Sequence, residues 1–301
     1  VGLGDGLGSG VIVTVWGQNL GSVQGGSTIK YCDSAAKCRA GHVYYWKNAD
    51  GSLPSGPSNL YESHRMQEIA FSIPDSAQGE GVIQVETSVG SSTLPFTVRA
   101  GGIFHVKSTG TDSSSANGSF SSPWLTVAKG DSGLGAGDTL YIHDVATGSP
   151  TEKRAIYNNA GFLADKTNQF VYASYPNTRP TVTGGDGVWM YHTKGIVTSK
   201  LAVYSSNCDA VAENCFQVSA NGIAPSDWGR VIGNMITNQA GGCADSQAGA
   251  ISGGSGRVEG AKIYGNYVHD YSCPEAKKLH HTTYMTIRDT DDPNIEAWEF
   301  G

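Results

Sequence analysis

Residues 279–288 (LHHTTYMTIR) carry the side chains of this chain that are best suited to proton transfer. Their alternation at a period of two predicts a strand whose successive side chains point to opposite faces. We expect the inner face to carry Leu279, His281, Thr283, Met285 and Ile287. We expect the outer face to carry His280, Thr282, Tyr284, Thr286 and Arg288. The outer row is therefore the candidate catalytic surface.

This outer row fits β-elimination from a uronate sugar. That reaction needs a base to remove the proton at C5 and a cation to neutralise the carboxylate. Tyr284 or His280 is the candidate base, and Arg288 is the candidate cation. A solvent-facing strand with ordinary polar residues is the plainer interpretation, and it stays open.

His280 and Tyr284 stand about 13 Å apart at roughly 3.3 Å per residue, which is too far for both to act on the same sugar carbon. A second catalytic side chain must therefore come from an adjoining strand. Neighbouring strands of a sheet lie about 4.8 Å apart, which brings a further side chain within reach. The predicted substrate-binding residues, which would supply this partner and a local positive field, are Tyr267, His269, Lys277 and Lys278.

Oxygen ligands follow the same strand. Asp289, Asp291 and Asp292, with Glu296 nearby, could hold calcium, which is the candidate cofactor and could neutralise the carboxylate. The segment departs from the EF-hand pattern because its sixth position is not glycine. A solvated turn before Pro293 is the alternative.

Composition limits the class of protein. The chain has 301 residues, 39% of them apolar, which is enough for about two domains with real cores. Its 41 glycines and its charged fraction of 16%, against a typical value of about 25%, indicate a turn-rich all-β protein. A net charge of −7 argues against a general nucleic-acid or anionic-membrane binder. No stretch approaches the roughly 18–20 apolar residues of a membrane span.

Six cysteines fall into local pairs. The predicted disulfides join Cys32 to Cys38, Cys208 to Cys215, and Cys243 to Cys273. Free buried thiols are the alternative, while the spacing typical of zinc ligands is absent from the sequence. Disulfides indicate an oxidising compartment, so we expect a secreted, extracellular or cell-surface protein. The start at Val1 without Met predicts a mature form or a piece of a longer product, and we expect further sequence after Gly301.

The first hundred residues predict a small β-sandwich. Short runs with period-two alternation, separated by Gly, Ser and Pro clusters, occur at residues 10–21, 69–74, 81–87 and 94–98. The segments 13–21, 69–74 and 81–86 resemble the IPT/TIG family of immunoglobulin-like domains, over about residues 1–99. The usual leading strand with its proline is absent before Gly10, which predicts either a truncated domain or an open sheet edge.

Tyr44, Tyr45 and Trp46 could form a sugar-stacking strip on this sandwich, or straddle a strand so that half of them fill its core. We favour the core, where large aromatic side chains are usually buried.

The pattern changes after residue 102. A strand at 103–106, a polar stretch, the Pro-Trp-Leu-Thr segment at 123–126 and a strand within 136–142 follow one another. This order resembles the opening coil of right-handed parallel β-helix proteins, which implies a parallel β-helix over residues 100–301.

An internal repeat supports stacked coils independently. The segment GNMITN at 233–238 returns as GNYVHD at 265–270, after 32 residues. Asn234 and Asn266 are then corner residues that could stack in a ladder and hydrogen-bond the turn backbone. A sandwich of ordinary hairpins is the competing fold, but it gives no reason for the repeat.

The β-helix resemblance implies a polysaccharide lyase or a glycoside hydrolase. We predict a secreted protein that binds and cleaves an acidic polysaccharide by β-elimination. Hydrolysis would need two carboxylates about 5 to 9.5 Å apart, and spacing alone does not support Asp245 with Asp270. The alternative class is a non-catalytic surface, filament or adhesin protein, in which the β-helix is a rigid scaffold and the open sandwich edge joins copies by strand addition. A plain glycan-binding module is the third hypothesis.

Overall fold

The computed structural model describes residues 2–147, 156–157, 164–184, 187–189, 194–205, 216–217, 227–238, 248–253, 259–270, 280–285 and 296–301. Within these ranges the chain is mostly β-strand, which confirms the all-β prediction. The described helices are short and are α1 (Leu60–His64) and α2 (Val127–Gly133). No helix in these ranges is long and apolar enough to cross a membrane.

Residues 12–98 form two antiparallel sheets. Their strands are β1 (Ile12–Gly17), β2 (Thr28–Asp33), β3 (Cys38–Arg39), β4 (Val43–Asn48), β5 (Gln67–Ser72), β6 (Gly79–Thr87) and β7 (Gly90–Val98). One sheet has the order β1-β5-β4 and the other has the order β3-β2-β6-β7. Alternate apolar side chains of both sheets meet in one core, which includes Ile29, Tyr31, Trp46, Ile69, Phe71 and Ile83. Cys32 and Cys38 are joined by a disulfide between β2 and β3.

The following strands pair in parallel. They are β8 (Ile103–Val106), β9 (Thr139–Ile142), β10 (Ala146–Thr147), β11 (Ile156–Tyr157), β12 (Phe170–Ser174), β13 (Thr181–Gly184), β14 (Val188–Trp189), β15 (Ile196–Ser199), β16 (Ala202–Ser205), β17 (Phe216–Gln217), β18 (Arg230–Ile232), β19 (Met235–Asn238), β20 (Ala248–Gly253), β21 (Lys262–Tyr264), β22 (Tyr267–His269), β23 (His280–Met285) and β24 (Glu299–Phe300). They form three parallel sheets, β24-β21-β18-β15-β12-β9-β8, β10-β13-β16-β19-β22 and β11-β14-β17-β20-β23. From β9 onward the chain visits the three sheets in turn, so three strands make one coil.

The register reproduces the repeat seen in the sequence. Arg230 pairs with Lys262, Met235 with Tyr267, and Ala248 with His280, each a step of 32 residues. Between the sheets lies a continuous apolar core that runs from Val106 to Ile263. Each coil therefore buries its inner face against the coils above and below it.

The corner asparagines form the ladder that the sequence predicts. Asn234 is fully buried, and its Oδ1 accepts a bond from the Leu201 backbone N–H at 3.0 Å. Its Nδ2 donates to the Thr198 carbonyl at 3.2 Å and to Asn266 Oδ1 at 3.1 Å. The neighbouring corner positions, Lys200, Gly233 and Gly265, all have φ near +60°. A sharp turn at the same place in each coil thus exposes backbone groups that the asparagine side chain satisfies.

Asn234→Ala should lower the free energy of unfolding by about 2 to 3 kcal/mol, because it removes the partner of the buried Leu201 N–H together with the bonds to the Thr198 carbonyl and Asn266. Urea denaturation measures this change. Asn117→Ala, which removes an asparagine from an exposed turn, is the control and should change stability by less than about 0.5 kcal/mol. Equal stability of Asn234→Ala and wild type would contradict the role of the ladder.

The outer face of the β1-β5-β4 sheet packs on the outer face of the parallel sheet that contains β8, β9 and β12. The apolar residues of this contact include Leu3, Ile12, Tyr45, Ala70, Ile103, Tyr141 and Ala173. Tyr45 is therefore buried between the antiparallel and parallel parts of the chain, whereas its neighbour Trp46 is in the sandwich core. The sequence predicts burial within the sandwich alone, because it does not reveal that a second surface covers the outer face.

The edge of β1 is occupied where the sequence predicts an open edge. The Ile12 backbone N–H donates to the Tyr141 hydroxyl at 2.8 Å, and that hydroxyl donates to the Ile12 carbonyl at 3.1 Å. Residues 2–10 pack beside this contact, with Leu3 fully buried. The missing leading strand therefore leaves no free edge at Ile12, since the parallel part of the chain provides the hydrogen-bonding partner.

Candidate functional site

The predicted catalytic strand is present as β23, which pairs in parallel with β20. His280 is beside Ala248, and Tyr284 is beside Ser252. Thr283, which the alternation places on the inner face, is exposed. In the described part of the chain β23 is the last strand of its sheet, so no further described strand covers it.

The adjoining strand is not the one that the sequence suggested. Tyr267 and His269 lie on β22, which belongs to another sheet, whereas the partner of β23 is β20. The reason is the 32-residue coil, since residues only 13 positions apart occupy successive sheets of one coil rather than neighbouring strands of one sheet. Tyr267 and His269 therefore do not lie side by side with His280 and Tyr284.

Tyr267 and His269 form an aromatic pair at the surface. Their ring centroids are 4.7 Å apart with an interplanar angle of 23°, and Tyr267 is 45% exposed. His269 Nδ1 lies 2.8 Å from Asp270 Oδ2, so the carboxylate orients the imidazole. An exposed ring such as that of Tyr267 can cover the apolar face of a sugar, and the partly exposed imidazole of His269 adds a polar contact.

Several predicted residues lie outside the described residues. They are the cation Arg288, the two lysines Lys277 and Lys278, the calcium candidates Asp289, Asp291 and Asp292, and the cysteines Cys208, Cys215, Cys243 and Cys273. The described residues contain no group of three or more His, Cys, Asp or Glu side chains that could hold a metal ion.

A second concentration of titratable groups was missed by the sequence reasoning. We call it the histidine cluster, and it consists of Asp5, Tyr44, His105, Lys107, Phe120, Tyr141, His143 and Tyr175. It lies on the outer face of the first parallel coils, against residues 2–10 and β4. A signal was present in the sequence, because His143 and Tyr175 are one 32-residue repeat apart and follow β9 and β12, which pair in parallel.

The two histidines of the cluster share a hydrogen bond. His105 Nε2 lies 3.0 Å from the Leu3 carbonyl and therefore donates to it. His105 Nδ1 then accepts from His143 Nε2 at 3.1 Å. Burial lowers the pKa of His105 to about 4 and that of His143 to about 3, so both rings are neutral near pH 7.

Asp5 ties the N-terminal segment to the cluster. Its Oδ2 accepts hydrogen bonds from the hydroxyls of Tyr44 and Tyr175, the latter at 2.6 Å. Its Oδ1 accepts from the backbone N–H groups of Leu7 and Gly8. Burial alone would raise the pKa of Asp5, but these hydrogen bonds outweigh it and lower the pKa. Burial raises the pKa of Tyr44 and of Tyr175, and the hydrogen bond of each hydroxyl to Asp5 raises it further.

A third group, which we call the buried lysine network, consists of Thr14, Tyr45, Glu68 and Lys200. Lys200 Nζ donates to Thr14 Oγ1 at 2.8 Å and to the Tyr45 hydroxyl at 3.2 Å. That hydroxyl donates to Glu68 Oε1 at 2.5 Å. Burial lowers the pKa of Lys200 and raises that of Glu68, and each group partly offsets the shift of the other. The network lies between the antiparallel and parallel sheets.

The described residues thus define an all-β protein that combines antiparallel sheets with stacked parallel coils. No protein-family model and no curated protein match the chain. A solved structure, "Rhamnogalacturonan lyase", is similar to 62% of this chain at 12% sequence identity and a TM-score of 0.37. The similarity covers 51% of that structure's chain, so this chain spans about half its length. A similarity this distant gives no evidence about activity.

Proposed function

We propose that the chain is a secreted carbohydrate-active protein that binds and cleaves an acidic polysaccharide by β-elimination. In this proposal residues 1–99 are an IPT/TIG-like sandwich and residues 100–301 are a right-handed parallel β-helix. The observation that carries it is the in-register parallel pairing of β20 with β23. Because parallel coils stack in register, polar side chains of β23 would extend a common outer wall along which a polymer can lie.

Each proposed residue has a role in the elimination. Tyr284 or His280 removes the C5 proton, and Arg288 neutralises the uronate carboxylate so that this proton becomes more acidic. The C4–C5 double bond forms as the bond from C4 to the glycosidic oxygen breaks, and that oxygen leaves with a proton from the protonated base or from water. Calcium held by Asp289, Asp291 and Asp292 is the alternative neutraliser. On the next sheet, Tyr267 and His269 contact a neighbouring sugar, and Lys277 and Lys278 attract the acidic polymer to a protein of net charge −7.

The histidine cluster is less suited to this chemistry. A general base works best when its pKa is near the working pH, but burial lowers the pKa of His143 to about 3. Burial also raises the pKa of Tyr175, which disfavours the tyrosinate that would act as a base. The faces of these two rings are in addition stacked on each other at 4.3 Å. We therefore assign the cluster to the packing of the N-terminal segment.

Incubation with alginate, pectate, chondroitin and rhamnogalacturonan tests the proposal through the ultraviolet absorbance of unsaturated uronates. At least one polymer should give this signal. Tyr284→Phe and Arg288→Ala should each reduce the rate about hundredfold or more while the protein stays folded. Tyr264→Phe is the control and should keep the wild-type rate. Tyr264 is hydrogen-bonded to Glu299, and both residues lie in a different sheet from β23. Wild-type rates in both test variants would contradict the assignment of the site.

Strand addition, on which the filament hypothesis relies, meets two obstacles in the described residues. Tyr141 occupies the edge of β1 at Ile12. At the exposed edge strand β7, Thr87 pairs with Gly90 across the hairpin, so odd-numbered residues turn their backbone groups outward. Pro95 is one of these and has no N–H to donate. Electron microscopy of the purified protein tests the filament hypothesis, which regular fibres would support.

A further inference from the structure

A cleft with a volume of about 1000 Å³ opens at one end of the antiparallel sheets. Its walls are the glycine-rich segment of residues 18–28, the end of α1 with Tyr61 and Arg65, and the hairpin between β6 and β7. We call it the α1 cleft. Its volume is at the upper end of the range of roughly 300 to 1000 Å³ that is typical of small-ligand sites.

The charges of the α1 cleft favour an anion. Arg65 is its one basic lining residue, and the guanidinium lies 5.4 Å from the centroid of the Tyr61 ring. Arg65 takes part in none of the ion pairs found among the described residues. The one acidic lining residue, Glu86, is already paired with Lys30 at 3.2 Å and accepts from Thr28 Oγ1 at 3.0 Å. A carboxylate entering the cleft would therefore find a cation whose charge is not used elsewhere in the described chain.

The other lining groups match the hydroxyls and C–H faces of a sugar. Gln18 Nε2 donates to the His64 carbonyl at 2.9 Å, and Gln24 Nε2 donates to the Ser27 carbonyl at 3.2 Å. These bonds orient the two amides and leave their oxygens to accept from ligand hydroxyls. Val23 and Val89 are exposed at the rim and supply apolar contact.

We propose that the α1 cleft binds a carboxylated sugar of an acidic glycan, with Arg65 holding the carboxylate. Arginine suits this role because its planar fork of donors matches the two oxygens of a carboxylate. That this sugar is a unit of the polymer that the protein cleaves rests on the function proposed above. Binding in the cleft does not depend on cleavage.

Helix α1 connects the cleft to the parallel coils. Ser58 Oγ donates to the Gly265 carbonyl at 2.6 Å, and Leu60 packs against Gly265 so closely that an added Cβ would lie 2.9 Å from Leu60 Cδ1. Gly265 begins the turn that leads to Tyr267. A polymer held by Arg65 would therefore lie on the side of the molecule where α1 contacts the coil that carries Tyr267 and His269.

Calorimetry tests the proposal by measuring how the intact chain binds size-defined oligosaccharides of pectate, alginate and chondroitin. At least one should bind the wild type, and Arg65→Gln should weaken that binding about tenfold or more by removing the charge-assisted bonds. Gly26→Phe should have a similar effect, because Gly26 lines the cleft and a Cβ added there meets no other atom within 4 Å. Lys37→Gln removes an exposed lysine in the turn between β2 and β3, outside the cleft, and the variant should bind as the wild type does.

The outcomes separate this proposal from the elimination. Unchanged affinity in both Arg65→Gln and Gly26→Phe, or no binding of any of the three acidic oligosaccharides, would overturn the cleft assignment. Tight binding that depends on Arg65, without any unsaturated product, would support the cleft and contradict the elimination. Unsaturated product with affinities that do not depend on Arg65 would do the reverse.

Discussion

Replacing Lys200 by methionine should lower the free energy of unfolding by about 3 kcal/mol. Lys200 is 5% exposed and Glu68 is 2% exposed, so the substitution removes the cation nearest to a buried carboxyl group. It also removes the hydrogen bonds from Nζ to Thr14 and Tyr45. Lys200 and Glu68 are linked through the Tyr45 hydroxyl, and removing one of two opposite buried charges is typically far more destabilising than removing both. Urea denaturation followed by circular dichroism measures the change.

Two further variants sharpen this prediction. Lys200→Met combined with Glu68→Met should recover most of the lost stability, because neither charge then remains buried. Lys262→Met removes a lysine that is paired with Glu299 at 2.8 Å on the surface, and it should change stability by less than about 1 kcal/mol. Strictly additive losses in the double variant would show that Lys200 and Glu68 do not interact.

Acidification should destabilise the protein through the histidine cluster. Burial lowers the pKa of His105 to about 4 in the folded state, from 6.5 for an ordinary histidine, and His105 has no exposed surface. The unfolded chain therefore binds a proton that the folded chain does not, and stability falls between about pH 6.5 and pH 4. At 1.36 kcal/mol per pKa unit this loss is about 3 kcal/mol. Above pH 6.5 His105 contributes no pH dependence.

Unfolding in urea at several pH values tests this effect, with His105→Gln as the comparison. Glutamine can still donate to the Leu3 carbonyl but does not titrate, so the variant should lose less stability than the wild type on acidification. Five titratable or polar groups face His105, namely His143, Lys107, Tyr141, Tyr175 and Asp5. Because the pKa of Asp5 is lowered from 3.8, Asp5 changes the stability only below about that pH. His64→Gln, which changes an exposed histidine, should follow the wild-type curve. Parallel curves for wild type and His105→Gln would refute the assignment.

Local pattern was sufficient to predict several of the strands and the repeat. The alternating run before Gly17 became β1, and the recurrence of Gly-Asn became the ladder of Asn234 and Asn266. Both features depend on interactions within one strand or between equivalent positions of neighbouring coils. Such interactions leave a period in the sequence, either of two residues or of 32.

Contacts between distant segments left no such trace. The bonds between Ile12 and Tyr141 join residues 129 positions apart, and those of Lys200 reach Thr14 across 186 positions. The partner of His280 was misassigned for a related reason, because the period identifies a coil but not which of its three sheets a given strand joins. The resemblance-based domain boundaries and the roles of Tyr284 and Arg288 remain predictions.

Cleavage in water enriched in oxygen-18 tests the central claim most directly, since elimination adds no water to the broken bond whereas hydrolysis incorporates one oxygen atom from the solvent. Mass spectrometry of the products released from an acidic polysaccharide should show unsaturated ends without the isotope. Saturated, labelled ends, or polymers that stay intact throughout the panel, would contradict an elimination on the outer wall of the parallel coils.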